Sequence, residues 1–285
     1  MSRLSLFIFD MDNTLYDWYA AFLPAFYEMV DVASKSLDCD REELLNQLRE
    51  VHIRHHDVEH PFSLAETRIV QDRIEARGYE DTWRLIDPAF HAFNRLRKQN
   101  LKLFPDTLET LEELRSRNVD LVAYTDSTYF AALGRLERLG LSDIFSRVYC
   151  RERGQSHLPS ASAGLHENKN LAKVIEIPSH QSKPNPRVLG DIIVAQHHDS
   201  ENVAYVGDSL SRDVLMAKRA HCYAIWAKYG AHTDVQMYER LIRISHWTAE
   251  DILNEKNYAR EAKNYSPDFT CQRSIAEIRT LLPGK

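Results

Sequence analysis

Hydrophobic positions in this chain follow two regimes. Short, nearly unbroken apolar runs occur at Leu4–Phe9 (LSLFIF), Asp120–Tyr124 (DLVAY), Val203–Val206 (VAYV) and Cys222–Trp226 (CYAIW), with a weaker one at Phe145–Cys150. Runs of this length without polar alternation predict strands buried on both faces, as in a parallel sheet. Helical patterns at Thr107–Arg117, Tyr129–Leu139, Pro186–Ala195 and Ser211–Ala220 lie between them. Strands alternating with helices predict βαβ units, hence a doubly wound, mostly parallel, Rossmann-like α/β sheet. Residues 17–100 interrupt that rhythm with helical patterns at 17–37, 41–57, 63–77 and 82–98 and no convincing strand. They predict an inserted all-α domain, leaving 1–16 and 101–285 as the α/β core. Within the core, 151–182 is rich in Ser, Gly and His and predicts an exposed loop insertion with a short helix near 168–176. Residues 231–285 read as a helical C-terminal extension, with helices near 234–243, 248–264 and 271–282.

Composition narrows the function. With 285 residues, 44% of them hydrophobic, the chain can bury a large core, and two domains are the natural expectation. A net charge of −6 argues against sequence-independent nucleic-acid binding. No apolar run reaches membrane-spanning length, and the one in MSRLSLFIFD is too short for a signal peptide. The four cysteines form no C-x-x-C, which suits unpaired thiols in a reducing cytoplasm. None of the nine glycines builds a G-x-G-x-x-G or a G-K-S/T, so dinucleotide and Walker-type NTP binding lose their main signal.

The strand ends carry the candidate chemistry. Leu4–Phe9 delivers Asp10 and Asp12, two carboxylates at the carboxyl end of a buried strand, where open α/β sheets bind ligands. One carboxylate can attack while the other shuttles a proton; an Asx turn ending the strand is the alternative. An EF-hand fails, because position six of the loop is Leu15 and position twelve is Ala21. A second buried strand ends in Gly207, Asp208 and Ser209, with Asp213 beyond it. Acids from both strands would form a cluster that is costly without a cation, and Mg²⁺ suits such an oxygen set. Lys183 precedes two prolines in SKPNP, fixed where it could neutralise acids or hold a phosphate. Thr125, Asp126 and Ser127 end a further strand, whose hydroxyls read as a helix cap or as donors to an anion.

FDMDNTLYD, LVAYTDS, SKPNP and YVGDSLSRDV, in this order, resemble the four motifs of the haloacid dehalogenase-like (HAD) hydrolase superfamily. The resemblance covers about 1–16 and 101–230. It implies that Asp10 is the nucleophile that forms an aspartyl-phosphate and that Asp12 is the acid/base. It implies that Thr125, with Asp126 and Ser127, binds the phosphoryl group, and that Lys183 steadies nucleophile and phosphate. Asp10, the Asp12 carbonyl, Asp208 and Asp213 would hold Mg²⁺. An acid at position 12 favours a phosphatase over a dehalogenase. The helical insertion after the first motif resembles a C1-type cap, which implies a small phosphorylated substrate, nucleotide or sugar phosphate. A phosphomutase using the same aspartyl-phosphate, or a non-catalytic binding protein of this fold, are the alternatives. A monomer or a homodimer fits equally. Asp126 departs from the family, where Asn is common, and so does His221, where many relatives have Gly. The histidines at 52, 55, 56 and 60 include an i, i+4 pair, His52 and His56, able in principle to bind zinc. Without an H-E-x-x-H they read as an exposed helix end, and Arg54 and Arg68 read as solvated.

Overall fold

The computed structural model describes residues 4–153, 173–231 and 234–282. The chain divides into two compact units: Met1–Asp17, Leu103–Ala231 and Glu255–Lys285 form one, Trp18–Lys102 and His232–Asn254 the other.

The first unit is built on a seven-stranded sheet: β1 (Leu6–Phe9), β2 (Asp120–Thr128), β3 (Arg147–Arg151), β4 (Val174–Ile177), β5 (Val203–Gly207), β6 (Tyr223–Ala227) and β7 (Phe269–Cys271). All pairings are parallel, in the order β4-β3-β2-β1-β5-β6-β7. β1 is therefore central, and connections run outward from it in both directions. That reversal creates a crevice at the carboxyl ends of β1, β2 and β5, where ligands bind in such sheets. Leu6, Phe7, Ile8 and Phe9 are fully buried, as expected of a strand covered by helices on both faces. The covering helices in this unit include α5 (Thr107–Ser116), α6 (Tyr129–Arg138), α7 (Pro186–Ala195) and α8 (Leu215–Arg219). Asn185 caps α7 by accepting from the Val188 amide, and Pro186 occupies the first turn, where its missing N–H costs nothing.

Two strands lie where the sequence predicts none. β4 falls inside the stretch expected to be loop, and β7 falls in the gap before the helix expected at 271–282, sharing only Cys271 with it. Neither has the fully buried apolar signature: Ile175 and Glu176 of β4 are exposed, and β7 has three residues. The rest of 271–282 is a 3-10 run, Ile275–Leu281, opened by a Ser274–Glu277 capping box. The short helix expected near 168–176 lies mostly outside the described residues, and its described end belongs to β4.

The second unit is all-helical: α1 (Trp18–Leu37), α2 (Arg41–His55), α3 (Arg68–Arg77), α4 (Tyr79–Asn100) and α9 (Val235–Ile244). α1 and α4 supply its core through Phe22, Phe26, Val30, Ile86 and Ala89. The helix expected over 63–77 is broken: Ser63–Glu66 is a 3-10 turn, Thr67 is extended, and α3 follows. The stretch 231–285 is not one extension of the α/β core. Leu241 and Ile244 of α9 are buried in the helical core, and Tyr27 Oη donates to the Arg240 carbonyl at 2.9 Å. α10 (Ala249–Ala262) then carries the chain back to the sheet unit. His52 is fully buried rather than part of an exposed helix end; its Nδ1 lies 2.7 Å from the Ile244 carbonyl.

Candidate active site

The turn after β1 is set by local backbone chemistry. The Asp10 amide donates to the Val206 carbonyl at 2.8 Å, carrying the β1–β5 pairing one residue past the strand. Asn13 then adopts φ 59°, a left-handed conformation that Asn tolerates, and its amide donates to the Tyr16 carbonyl at 2.8 Å. The tight loop returns Asp12 and Tyr16 to the same edge. Gly207 ends β5 because nothing larger fits: a Cβ there would lie 2.3 Å from the Asp213 carboxyl carbon.

Lys183 is the hub. Its Nζ donates to Asp10 Oδ1 and, at 3.0 Å, to Asp213 Oδ1, with only 3% of its side chain exposed. The rings of Tyr124 and Tyr205 flank it at 5.2 and 5.5 Å. Asp213 is fully engaged: Oδ1 also accepts from Tyr205 Oη at 3.2 Å, and Oδ2 accepts from the Ser209 amide at 3.1 Å. Asp10 Oδ2 accepts from Thr14 Oγ1 at 3.2 Å. Among the described residues, no protein donor reaches the Asp208 carboxylate.

Carboxylate oxygens of Asp10, Asp208 and Asp213 lie within 4.8 Å of one another. Burial pushes Asp10 up to about 7; Lys183 pulls it down while Asp213 and Asp12 push it further up. Burial, then Asp213 and Asp10, hold Asp208 well above the usual carboxylate range. Burial works against the charge of Lys183, but Asp10 and Asp213 overcome it and hold its pKa well above the ordinary value. One ammonium thus faces three clustered acids, an excess of negative charge that a hard divalent cation would relieve. The residues present fit Mg²⁺: all-oxygen donors, with the Asp208 carboxylate unengaged.

Asp12 sits in a separate network. Its Oδ1 accepts from Tyr16 Oη and Arg135 Nη1, both at 2.8 Å. Its Oδ2 accepts from Ser127 Oγ at 2.5 Å and Thr125 Oγ1 at 3.4 Å. The strand-end hydroxyls of β2 therefore converge on Asp12. Asp126 faces elsewhere: its carboxylate accepts from Arg212 and from the Lys183 amide, at 3.2 and 3.3 Å to its two oxygens. The charge that replaces the family's usual Asn is thus turned onto a guanidinium. Arg135, Arg212, Tyr16 and Tyr205 all take part in this constellation, and none is among the site residues the sequence predicts. Tyr16, Tyr205 and Arg212 lie within the motif stretches themselves; Arg135 has no such signal.

A doubly wound sheet that gathers carboxylates, a buried lysine and hydroxyls at its carboxyl edge defines an α/β enzyme. The chain belongs to the haloacid dehalogenase-like hydrolases, whose family profile matches residues 4–221. It is 26% identical over 235 residues to the glyceraldehyde 3-phosphate phosphatase of Methanopyrus kandleri, covering 80% of this chain and 86% of that protein. It is 26% identical over 241 residues to the phosphoglycolate phosphatase of Agrobacterium fabrum, covering 82% and 84%. Its fold is similar to the crystal structure of a HAD phosphatase from Thermococcus onnurineus, at TM-score 0.53 and 19% identity, covering 97% of each chain. No helix among the described residues is long and apolar enough to cross a membrane.

Proposed function

We propose that this chain is a phosphatase that hydrolyses a phosphomonoester of a small molecule through an aspartyl-phosphate on Asp10. The observation that carries this reading is the convergence of Asp10, Lys183, Asp208 and Asp213 at the carboxyl edge of the sheet, with Asp12 beside them. Asp10 attacks phosphorus, and the bond from phosphorus to the ester oxygen breaks. Protonated Asp12 gives its proton to that leaving oxygen. Asp12 then takes a proton from water as the water attacks phosphorus, freeing phosphate and restoring Asp10. Lys183 keeps Asp10 oriented and offsets charge on the phosphoryl oxygens, and the hydroxyls of Thr125 and Ser127, which here point to Asp12, would turn to donate to them. Asp10, Asp208 and the Asp12 carbonyl would hold Mg²⁺, which supplies charge neutralisation for the transferring group. Asp213, with both oxygens engaged, supports that set and Lys183. Asp126 acts here as the anchor of Lys183 rather than as a substrate ligand.

The two curated relatives named above carry phosphatase names with small sugar-type or hydroxy-acid phosphates, which supports that class of substrate over nucleotides. The helical unit, inserted after the first motif, fits the role of a C1-type cap that supplies substrate contacts. Four free cysteines, three of them buried, support a reducing cytoplasm. The test is Mg²⁺-dependent phosphate release from a panel of sugar, hydroxy-acid, nucleoside and aryl phosphates. Turnover should require Mg²⁺ and fall at least roughly 10⁴-fold in Asp10→Asn. Silence across the panel, in folded protein, would reject the reading in favour of a mutase or a binding protein.

A further inference from the structure

The helical unit holds a second cluster of metal-ligating side chains. His55 ends α2, His60 stands in the turn that follows, and Glu66 ends the 3-10 turn before α3. His55 Nε2 lies 2.7 Å from Glu66 Oε2, and His60 Nε2 lies 2.7 Å from Oε1. One donor atom from each residue lies within 4.8 Å of the other two. The side chains are 22%, 9% and 27% exposed, so the cluster is sheltered but reachable. The two imidazoles stack with centroids 3.5 Å apart. Two residues in the left-handed region turn the backbone within the cluster, His56 between His55 and His60 and Phe62 between His60 and Glu66. The carboxylate is presented by a pinned turn: Gln71 Nε2 donates to the Ala65 carbonyl at 2.7 Å, and Thr67 Oγ1 to the Leu64 carbonyl at 2.8 Å.

We propose that His55, His60 and Glu66 form a site for a zinc-class divalent ion. Two imidazole nitrogens and one carboxylate are a common zinc ligand set, which leaves a fourth position for water. The donors differ in kind from the all-oxygen Asp10–Asp208–Asp213 cluster. Imidazole selects zinc-like ions over Mg²⁺, so the two sites discriminate between ions. The ion takes the place of the hydrogens on the two Nε2 atoms: in each neutral ring the hydrogen moves to Nδ1 through solvent exchange, which frees the Nε2 lone pair for the ion. The stacked rings meet one ion by turning about their Cβ–Cγ bonds, a broad torsion. Arg54, 3.5 Å from Glu66 Oε2 and 55% exposed, moves its charge into water. The bound ion would tie the end of α2 to the start of α3.

Zinc chloride titrated calorimetrically into chelator-treated, full-length Asp208→Asn protein tests this, because that background breaks the carboxylate set. One ion per chain should bind in the presence of excess Mg²⁺. Adding His55→Ala and His60→Ala should weaken binding at least about 100-fold without changing the circular dichroism spectrum. If that variant fails to fold, Glu66→Gln takes its place and should weaken binding about tenfold or more. No uptake by the Asp208→Asn protein, or uptake that survives these substitutions, overturns the assignment.

Discussion

Asp126 places a full negative charge one residue from the Thr125 hydroxyl, and the structure answers it with Arg212. The guanidinium reaches both Asp126 and, at 3.4 Å, the Lys183 carbonyl, so one side chain joins β2 to the turn that holds the lysine. The pair is a quarter to a third exposed, which limits its worth. In a double-mutant cycle by urea unfolding, Asp126→Asn and Arg212→Met should couple by about 1 kcal/mol, the double variant losing less than the sum. Additive losses would show that the pair does not act as one. Gly207 gives a sharper test. Gly207→Ala forces Asp213 aside, so the protein should stay folded while kcat falls on the order of 10²-fold. Asp10, Asp12, Lys183, Asp208 and Asp213 were legible in the sequence because each follows a buried strand or opens a helix. Arg135 was not: it reaches Asp12 from the second turn of α6, and nothing local marks which helical arginine points inward.

At the scale of elements, β1, β2, β3, β5 and β6 were legible because burial on both faces writes an apolar run. Among the described residues β4 and β7 are the outermost strands of the sheet, each paired on one flank, and their short, mixed sequences carry no such signal. The contact between α2 and α9 was equally hidden, since no local pattern names a partner so distant in sequence. His52 fastens that contact and carries a pH signature. Burial, and then its neighbours His246, His60 and His55, depress its pKa to about 4, although the bond to Ile244 opposes this. Its Nε2 is buried without a partner, so an added proton would be stranded. Below the unfolded value of about 6.5 the unfolded chain binds a proton that the native state refuses. Stability is therefore full above about pH 6.5 and falls as pH drops toward 4, by up to about 3 kcal/mol. Urea unfolding of wild type and His52→Phe across this range should isolate that loss, and parallel curves would contradict it. Gly230 belongs to this scale too. A Cβ there would sit 1.6 Å from the Asn13 carbonyl oxygen, pressing the segment after β6 onto the loop after β1. Gly230→Ala should cost about 3 kcal/mol or more by chemical unfolding, because backbone cannot yield as a side chain can.

The whole molecule is two cores on one chain. The sheet core is interrupted once by the helical stretch Trp18–Lys102 and again by the short excursion His232–Asn254. The first interruption was visible as a change of period from two-sided burial to helical spacing. The second was not, because α9 is helical in either setting and only its burial against Phe26-side packing reveals its unit. The sheet core assembles Asp10 with a fixed ammonium and Asp12 on separate hydrogen-bond networks, and the proposed covalent mechanism uses them as nucleophile, electrostatic anchor and acid/base. The most direct test is to quench the enzyme with acid during turnover of a phosphate ester and map the modified peptide by mass spectrometry. Phosphate on Asp10, absent from Asp10→Asn and accumulating when Asp12→Asn slows its hydrolysis, is the predicted result. Turnover with no phosphorylated enzyme, or with phosphate on another residue, would contradict the account.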